Sequence, residues 1–238
     1  MAEVCIICGL VGFLSMVITL ILGIRIISKY FQHKQVSFIY VGLTLILLWS
    51  PWWPASISFI TYLISLEGLS FEAYIFLGNF FLPFALITWV IPMCNLLGVK
   101  DKTRKIALII CFIYIVIFLS VVIYFLFNPA ELGYLRNPLV PIYSFSFYIL
   151  IMPILVIVIM LGLKLAFESL KASDTEVQLK GKFLLFAFIT ITIGIILEIF
   201  LTGDFNLLIS RIIIIIGLIL LYIGLTLPKR IKELFLKS

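Results

Sequence analysis

The chain has 238 residues, 64% hydrophobic and 12% charged, against roughly 25% charged in a soluble domain, which excludes an ordinary water-soluble fold. In a soluble protein the net charge of +6 would suggest nucleic acid. Here the basic excess reads as anchors facing anionic lipid head groups, and no nucleic-acid partner is expected.

Seven apolar segments run near 5–28, 36–60, 71–97, 106–127, 141–163, 183–203 and 206–227. Each supplies the ~20 residues that a helix needs to cross hydrocarbon. The predicted fold class is all-α: a seven-transmembrane-helix bundle forming one integral membrane domain over 1–238, in the cell membrane. Orientation follows from Lys and Arg near the span ends. Fifteen of the seventeen fall after spans one, three, five and seven: Arg25, Lys29 and Lys34; Lys100, Lys102, Arg104 and Lys105; Lys164, Lys171, Lys180 and Lys182; Lys229, Arg230, Lys232 and Lys237. Only Arg136 and Arg211 lie opposite. The N-terminus is expected outside and the C-terminus inside.

Span one lacks the positive leader of a secretion signal, carrying Glu3 instead, and its apolar run exceeds the ~7–15 residues of a signal core. It is expected to stay as a helix. Cys5 and Cys8 form C-x-x-C, yet no His/Cys pair completes a zinc site, since Cys94 and Cys111 are isolated. No metal or other cofactor is expected.

Span two holds WSPWWPAS, with Pro51 and Pro54 each removing a backbone donor and crowding the carbonyl four residues back, those of Leu47 and Ser50. On a regular helix Trp49, Trp52 and Trp53 share one face. Pro83 in span three and Pro153 in span five sit about twelve residues, ~18 Å, from their outer ends. Kinks at these prolines predict an outward-opening cavity lined by Trp49, Trp53, Asn79 and Tyr143. The competing reading makes the tryptophans an interfacial belt. Trp89, near the inner end of span three, is expected to be such an anchor.

The inside connection KASDTEVQLKGK (171–182) reads as a solvated helix end with a turn at Gly181. Neither this stretch nor the residues after Pro228 can bury a separate core, so a signal would pass to a separate cytoplasmic protein.

Ionisable groups in hydrocarbon are costly and mark function or tight pairing. Glu198 lies about sixteen residues, ~24 Å, beyond Lys182, and Arg211 about five residues into span seven. Matching depth on consecutive helices predicts a Glu198–Arg211 ion pair, with Asp204 close enough to share the guanidinium. The pair is either a structural tie or part of the binding site. Ser144, Ser146 and Tyr148 fall in the same outer half as Asn79 and Tyr143.

Enzyme chemistries lack their parts. His33 is the lone histidine, span seven has no lysine for a Schiff base, and no phosphate-cradling glycine motif occurs. Nor does the chain carry the two facing mid-depth aspartates of an intramembrane protease.

YIFLGNFFLPFALITWVIPM (74–93), followed by a basic turn, resembles the third helix of the seven-span sensory region at the N-terminus of some histidine kinases, where a glycine precedes a mid-helix proline as Gly78 precedes Pro83. LKGKFLLFAFITITIGIILEIF (179–200) is similar to the sixth helix of that region, and the topology also resembles small stand-alone archaeal seven-helix proteins. The resemblance implies sensing without a kinase. The sequence thus predicts a receptor-like protein binding a small ligand from outside through Trp49, Trp53, Asn79, Tyr143, Glu198 and Arg211. The alternatives are a small-solute transporter or channel, or an accessory subunit of a membrane complex.

Overall fold

A computed structural model describes residues 6–200 and 203–236, without the side chains of Cys8 and Asp204. The chain is all-α, and among the described residues seven stretches are long and apolar enough to cross a membrane. It is a multi-pass membrane protein.

Span one is α1 (Ile6–His33). Span two is broken into α2 (Ser37–Leu48), one 3-10 turn over Ser50–Trp52, and α3 (Trp53–Ser65). Span three is broken at Pro83 into α4 (Phe71–Asn79) and α5 (Phe84–Leu96). Span four is α6 (Asp101–Phe127), followed by the single turn α7 (Pro129–Leu132). Next comes a hairpin of β1 (Gly133–Asn137) and β2 (Val140–Tyr143), then α8 (Phe145–Leu170), α9 (Thr175–Phe200), α10 (Asp204–Thr226) and the short α11 (Lys229–Leu236).

Packing closes six spans into a ring, in the order α1, α2, α5, α8, α9, α10 and back to α1. Span four lies outside it, against α4 and α5. Its Tyr114 hydroxyl donates to the Leu150 carbonyl of α8. Most large side chains of α6, from Ile109 to Ile123, stay exposed, as suits a helix whose solvent is acyl chain rather than water.

Close approach rests on missing side chains. Gly42 of α2 lies so near α1 that a Cβ there would sit 2.6 Å from the Gly23 carbonyl oxygen. On α10, Gly217 and Gly224 bring α9 equally near, their would-be Cβ atoms 3.1 Å from the Ile191 nitrogen and 2.9 Å from the Leu184 nitrogen. Small residues let membrane helices gain dispersion contact where lipid offers no hydrophobic drive.

Three expectations change. Gly181 makes no turn: α9 begins at Thr175 and runs through it, and the glycine is used for packing, since a Cβ would lie 3.0 Å from the Ala166 oxygen and 2.9 Å from the Leu170 nitrogen of α8. Trp89 is no interfacial anchor. It is buried, and its indole Nε1 donates to the Val158 carbonyl at 3.1 Å, tying α5 to α8. Span five starts at Phe145 rather than 141 because Pro141, Ile142 and Tyr143 belong to the hairpin.

That hairpin folds back into the bundle. Leu132 and Leu139 are buried, the Ser58 hydroxyl donates to the Pro138 carbonyl, and the Tyr74 hydroxyl donates to the Leu139 carbonyl at 3.1 Å. Gly133 is obligatory, with φ of +151° and a would-be Cβ 1.9 Å from the Ile142 oxygen. At the opposite, basic end, Glu176 of α9 pairs with Lys180 and with Lys232 of α11.

Candidate functional site

Between the hairpin and the ring interior lies a cavity of about 310 Å³, at the lower edge of the ~300–1,000 Å³ typical of small-molecule sites. The broken spans make the room for it. Where α2 ends, the 3-10 turn redirects the chain, and Ser50 donates at 3.1 Å to the carbonyl of Gly78 in the last turn of α4. Carbonyls there lack helical partners, so the two breaks satisfy one another. Pro54 rests on Gly78, its Cγ 3.2 Å from where a Cβ would be.

The 3-10 turn also decides which tryptophan reaches the cavity. Three residues per turn eclipse i and i+3, so Trp49 and Trp52 stack with ring centroids 4.8 Å apart and planes 20° from parallel. Trp52 lines the cavity and its Nε1 donates to Glu198 Oε1 at 3.0 Å. Trp53 turns away, its ring centroid 5.6 Å from that of Phe81, and takes no part in the cavity wall. Trp49 is 2% exposed, backs Trp52, and lines a second, smaller chamber.

Glu198 is the polar centre. Its Oε1 receives the Trp52 N–H and lies 3.6 Å from Arg211 Nε. Its Oε2 is buried and has no hydrogen-bond partner among the described residues. Arg211, 6% exposed, packs against α1 at Gly12, where an added Cβ would come within 2.7 Å of its Nη1. The side chain of Asp204, the other expected partner, lies outside the described residues. Stripping water from two charges is expensive and only good geometry offsets it. The ion pair at 3.6 Å and the indole N–H offset part of that cost, and Glu198 Oε2, without a partner among the described residues, leaves the rest uncompensated.

Tyr143 lines the cavity from the hairpin and packs on Phe147, centroids 4.9 Å apart. Asn79 stands behind it, interacting with Tyr143 and donating from Nδ2 to the Ile75 carbonyl at 2.9 Å. Of the six residues expected in the site, Tyr143, Glu198 and Arg211 share the cavity. Trp49 and Asn79 support it from behind, and Trp53 lies apart.

Sequence reasoning passed over Trp52, Tyr74, Arg136 and Tyr148, which also line the cavity. Arg136 had a signal, being with Arg211 one of two basic residues on the sparsely charged side. Trp52 shared the expected face with Trp49 and Trp53, and only the 3-10 turn singles it out. Among the described residues no group of three or more His, Cys, Asp or Glu side chains is placed to hold a metal ion. Among the described residues the apolar wall carries one carboxylate, two guanidiniums, an indole and phenols, groups suited to recognition. No protein-family model matches this chain, and no curated protein matches it.

Proposed function

We propose that this is a receptor-like sensory protein, N-terminus outside and C-terminus inside, which binds a small ligand in the hairpin-end cavity and signals through a separate cytoplasmic protein. The observation that carries the reading is the Trp52–Glu198–Arg211 cluster. A carboxylate with one oxygen still unmatched faces an apolar cavity of about 310 Å³. A few convergent polar groups in an apolar wall are the usual form of a ligand site, and buried intramembrane charges default to function. Binding rather than turnover is the role proposed.

The orientation rests on the fifteen-to-two partition of basic residues, which puts the cavity toward the outside of the cell membrane. The likeness of 74–93 and 179–200 to the sensory regions of histidine kinases supports sensing over transport.

The test uses a chain without its native cysteines and with Tyr148→Cys in the cavity wall. A membrane-impermeant thiol reagent added outside intact cells should modify Cys at 148. Liposomes holding the purified chain should show no flux of the solutes that protect it. Modification only from the inside would overturn the orientation, and solute flux would make the protein a transporter.

A further inference from the structure

The seventh span ends on a sharp turn. Leu227 is buried and held at φ of +36°, in the left-handed region, which stops α10. Pro228 follows and has no N–H with which to continue it. α11 starts at once, at Lys229.

The sequence of α11 sorts its side chains by face. At 3.6 residues per turn, Ile231, Leu234 and Phe235 fall together in the i, i+3, i+4 pattern of an apolar stripe. Lys229 and Glu233 fall opposite, Arg230 and Lys232 flank the stripe on its two sides, and Leu236 in the last turn is the one apolar residue off it. The stripe is not spent on the bundle: Leu234 is 73% and Phe235 56% exposed.

Two contacts with α9 set the depth of this helix. Phe235 meets Phe183 edge-on, and Phe183 opens the apolar run that follows Lys182. Phe186, one turn further along, is exposed on the acyl-facing surface. Lys232 pairs with Glu176, in the first turn of α9 and seven residues before Phe183. Those two anchor points are ~10 Å apart along α9, enough to span a head-group layer of ~5–8 Å. The stripe therefore touches the edge of the hydrocarbon while a flanking cation stands above it.

Charge at this end is complementary to an anionic surface. Fifteen Lys and Arg face five acidic residues there, Asp101, Glu168, Asp174, Glu176 and Glu233. Lys232 is held by Glu176. Arg230, on the other flank of the stripe, is exposed and has no ion-pair partner among the described residues. An apolar stripe at the hydrocarbon edge with cations along its sides is the form of a helix that lies in the membrane interface. A guanidinium suits the phosphate oxygens of a lipid head group.

We infer that α11 reads the lipid charge of the leaflet at the basic end. Ile231, Leu234 and Phe235 lie at its acyl boundary, and Arg230 rests on the phosphate of an anionic lipid. The occupant of the exposed face is the anionic bilayer surface, whatever the cavity binds. Because Lys232 ties α11 to α9, anionic lipid acts on the helix that carries Glu198.

The test uses the full chain without its native cysteines, carrying one nitroxide on Leu234→Cys or on Glu233→Cys. Each is reconstituted in phosphatidylcholine vesicles with or without phosphatidylglycerol. Accessibility is read against oxygen, which concentrates in hydrocarbon, and against a water-soluble nickel chelate. The label at 234 should favour oxygen and the label at 233 the chelate, and phosphatidylglycerol should increase the oxygen preference at 234. Arg230→Gln should lower the ratio of docked to released helix about fivefold in the anionic vesicles, as expected for one basic residue at a charged surface, and change little in phosphatidylcholine alone. Added salt should act in the same direction as Arg230→Gln. Chelate preference at both positions in anionic vesicles would place α11 in water and overturn the inference, leaving its apolar face to the separate cytoplasmic protein. Oxygen preference at 234 that ignores both phosphatidylglycerol and Arg230→Gln would overturn the reading of lipid charge and make α11 a plain apolar anchor.

Discussion

Removing one member of the Glu198–Arg211 pair should cost far more than removing both. Glu198→Ala takes from the Arg211 guanidinium, 6% exposed, its Glu198 counter-charge and takes the acceptor from Trp52. Arg211→Ala leaves the carboxylate with the indole N–H alone. Breaking a buried pair costs about 3–5 kcal/mol. For a chain of this size, a kcal/mol corresponds to about 2–4 °C in melting temperature, so each single variant should melt roughly 6–20 °C lower. A Glu198→Leu, Arg211→Met double variant fills the same space without charge and should recover most of that loss, because apolar replacements of buried pairs are often neutral. Trp52→Phe is the control: it removes one hydrogen bond to a charged acceptor, worth about 1.5–3 kcal/mol, and keeps the ion pair. Thermal unfolding of these proteins in one detergent, together with the Glu198→Leu and Arg211→Met single variants that close the double-mutant cycle, reads the coupling directly. Losses that add in the double variant would show that the two side chains do not interact, and the argument for a coupled polar centre would fail.

Other consequences are more local. Gly12→Ala should displace the Arg211 guanidinium, whose Nη1 would lie 2.7 Å from the new Cβ; its melting temperature should fall in wild type but hardly at all in the Glu198→Leu, Arg211→Met background. Trp89→Phe removes the indole donor to Val158 and should cost about 1 kcal/mol, where an interfacial anchor would show no loss in detergent. Single cysteines at Ser65 and Tyr134 should label from one face of the membrane and those at Thr103 and Ser173 from the other; labelling of Tyr134 and Thr103 positions from the same side would break the seven-span order. Gly133 is unsuitable for that scan, since any side chain there collides with the Ile142 carbonyl. Ser58→Ala frees both the Leu69 N–H and the Pro138 carbonyl, and proteolysis between β1 and β2 should accelerate.

The spans were legible because hydrocarbon demands length and apolarity of each segment separately, so no tertiary knowledge was needed. Glu198 and Arg211 were legible for the same reason: two charges in apolar helices at one depth have little choice but each other. The hairpin was not. GYLRNPLVPIY carries no strict alternation, and its strands are held by Ser58 and Tyr74, far away in sequence. The tryptophan face was misjudged because the α-helical period was extended through Pro51. Three residues of 3-10 helix were enough to exchange Trp53 for Trp52. Gly181 illustrates a third limit, since a glycine needed for helix contact and one needed for a turn look alike until the neighbouring helix is placed.

The glycines between α9 and α10 also bear on how a bound ligand could be felt. Backbones that touch at Gly194, Gly217 and Gly224 cannot slide past one another without driving side chains into main chain. The two helices therefore form a single lever with Glu198 and Arg211 near its tip. Its other end is joined to α11, because Glu176 of α9 grips Lys232 and Phe235 meets Phe183 edge-on, centroids 5.7 Å apart. A tilt of the lever at the polar cluster would swing α11 across the basic end without any helix unwinding. On this arrangement the lever moves most readily against α1, which α10 touches less extensively than α9 touches α8.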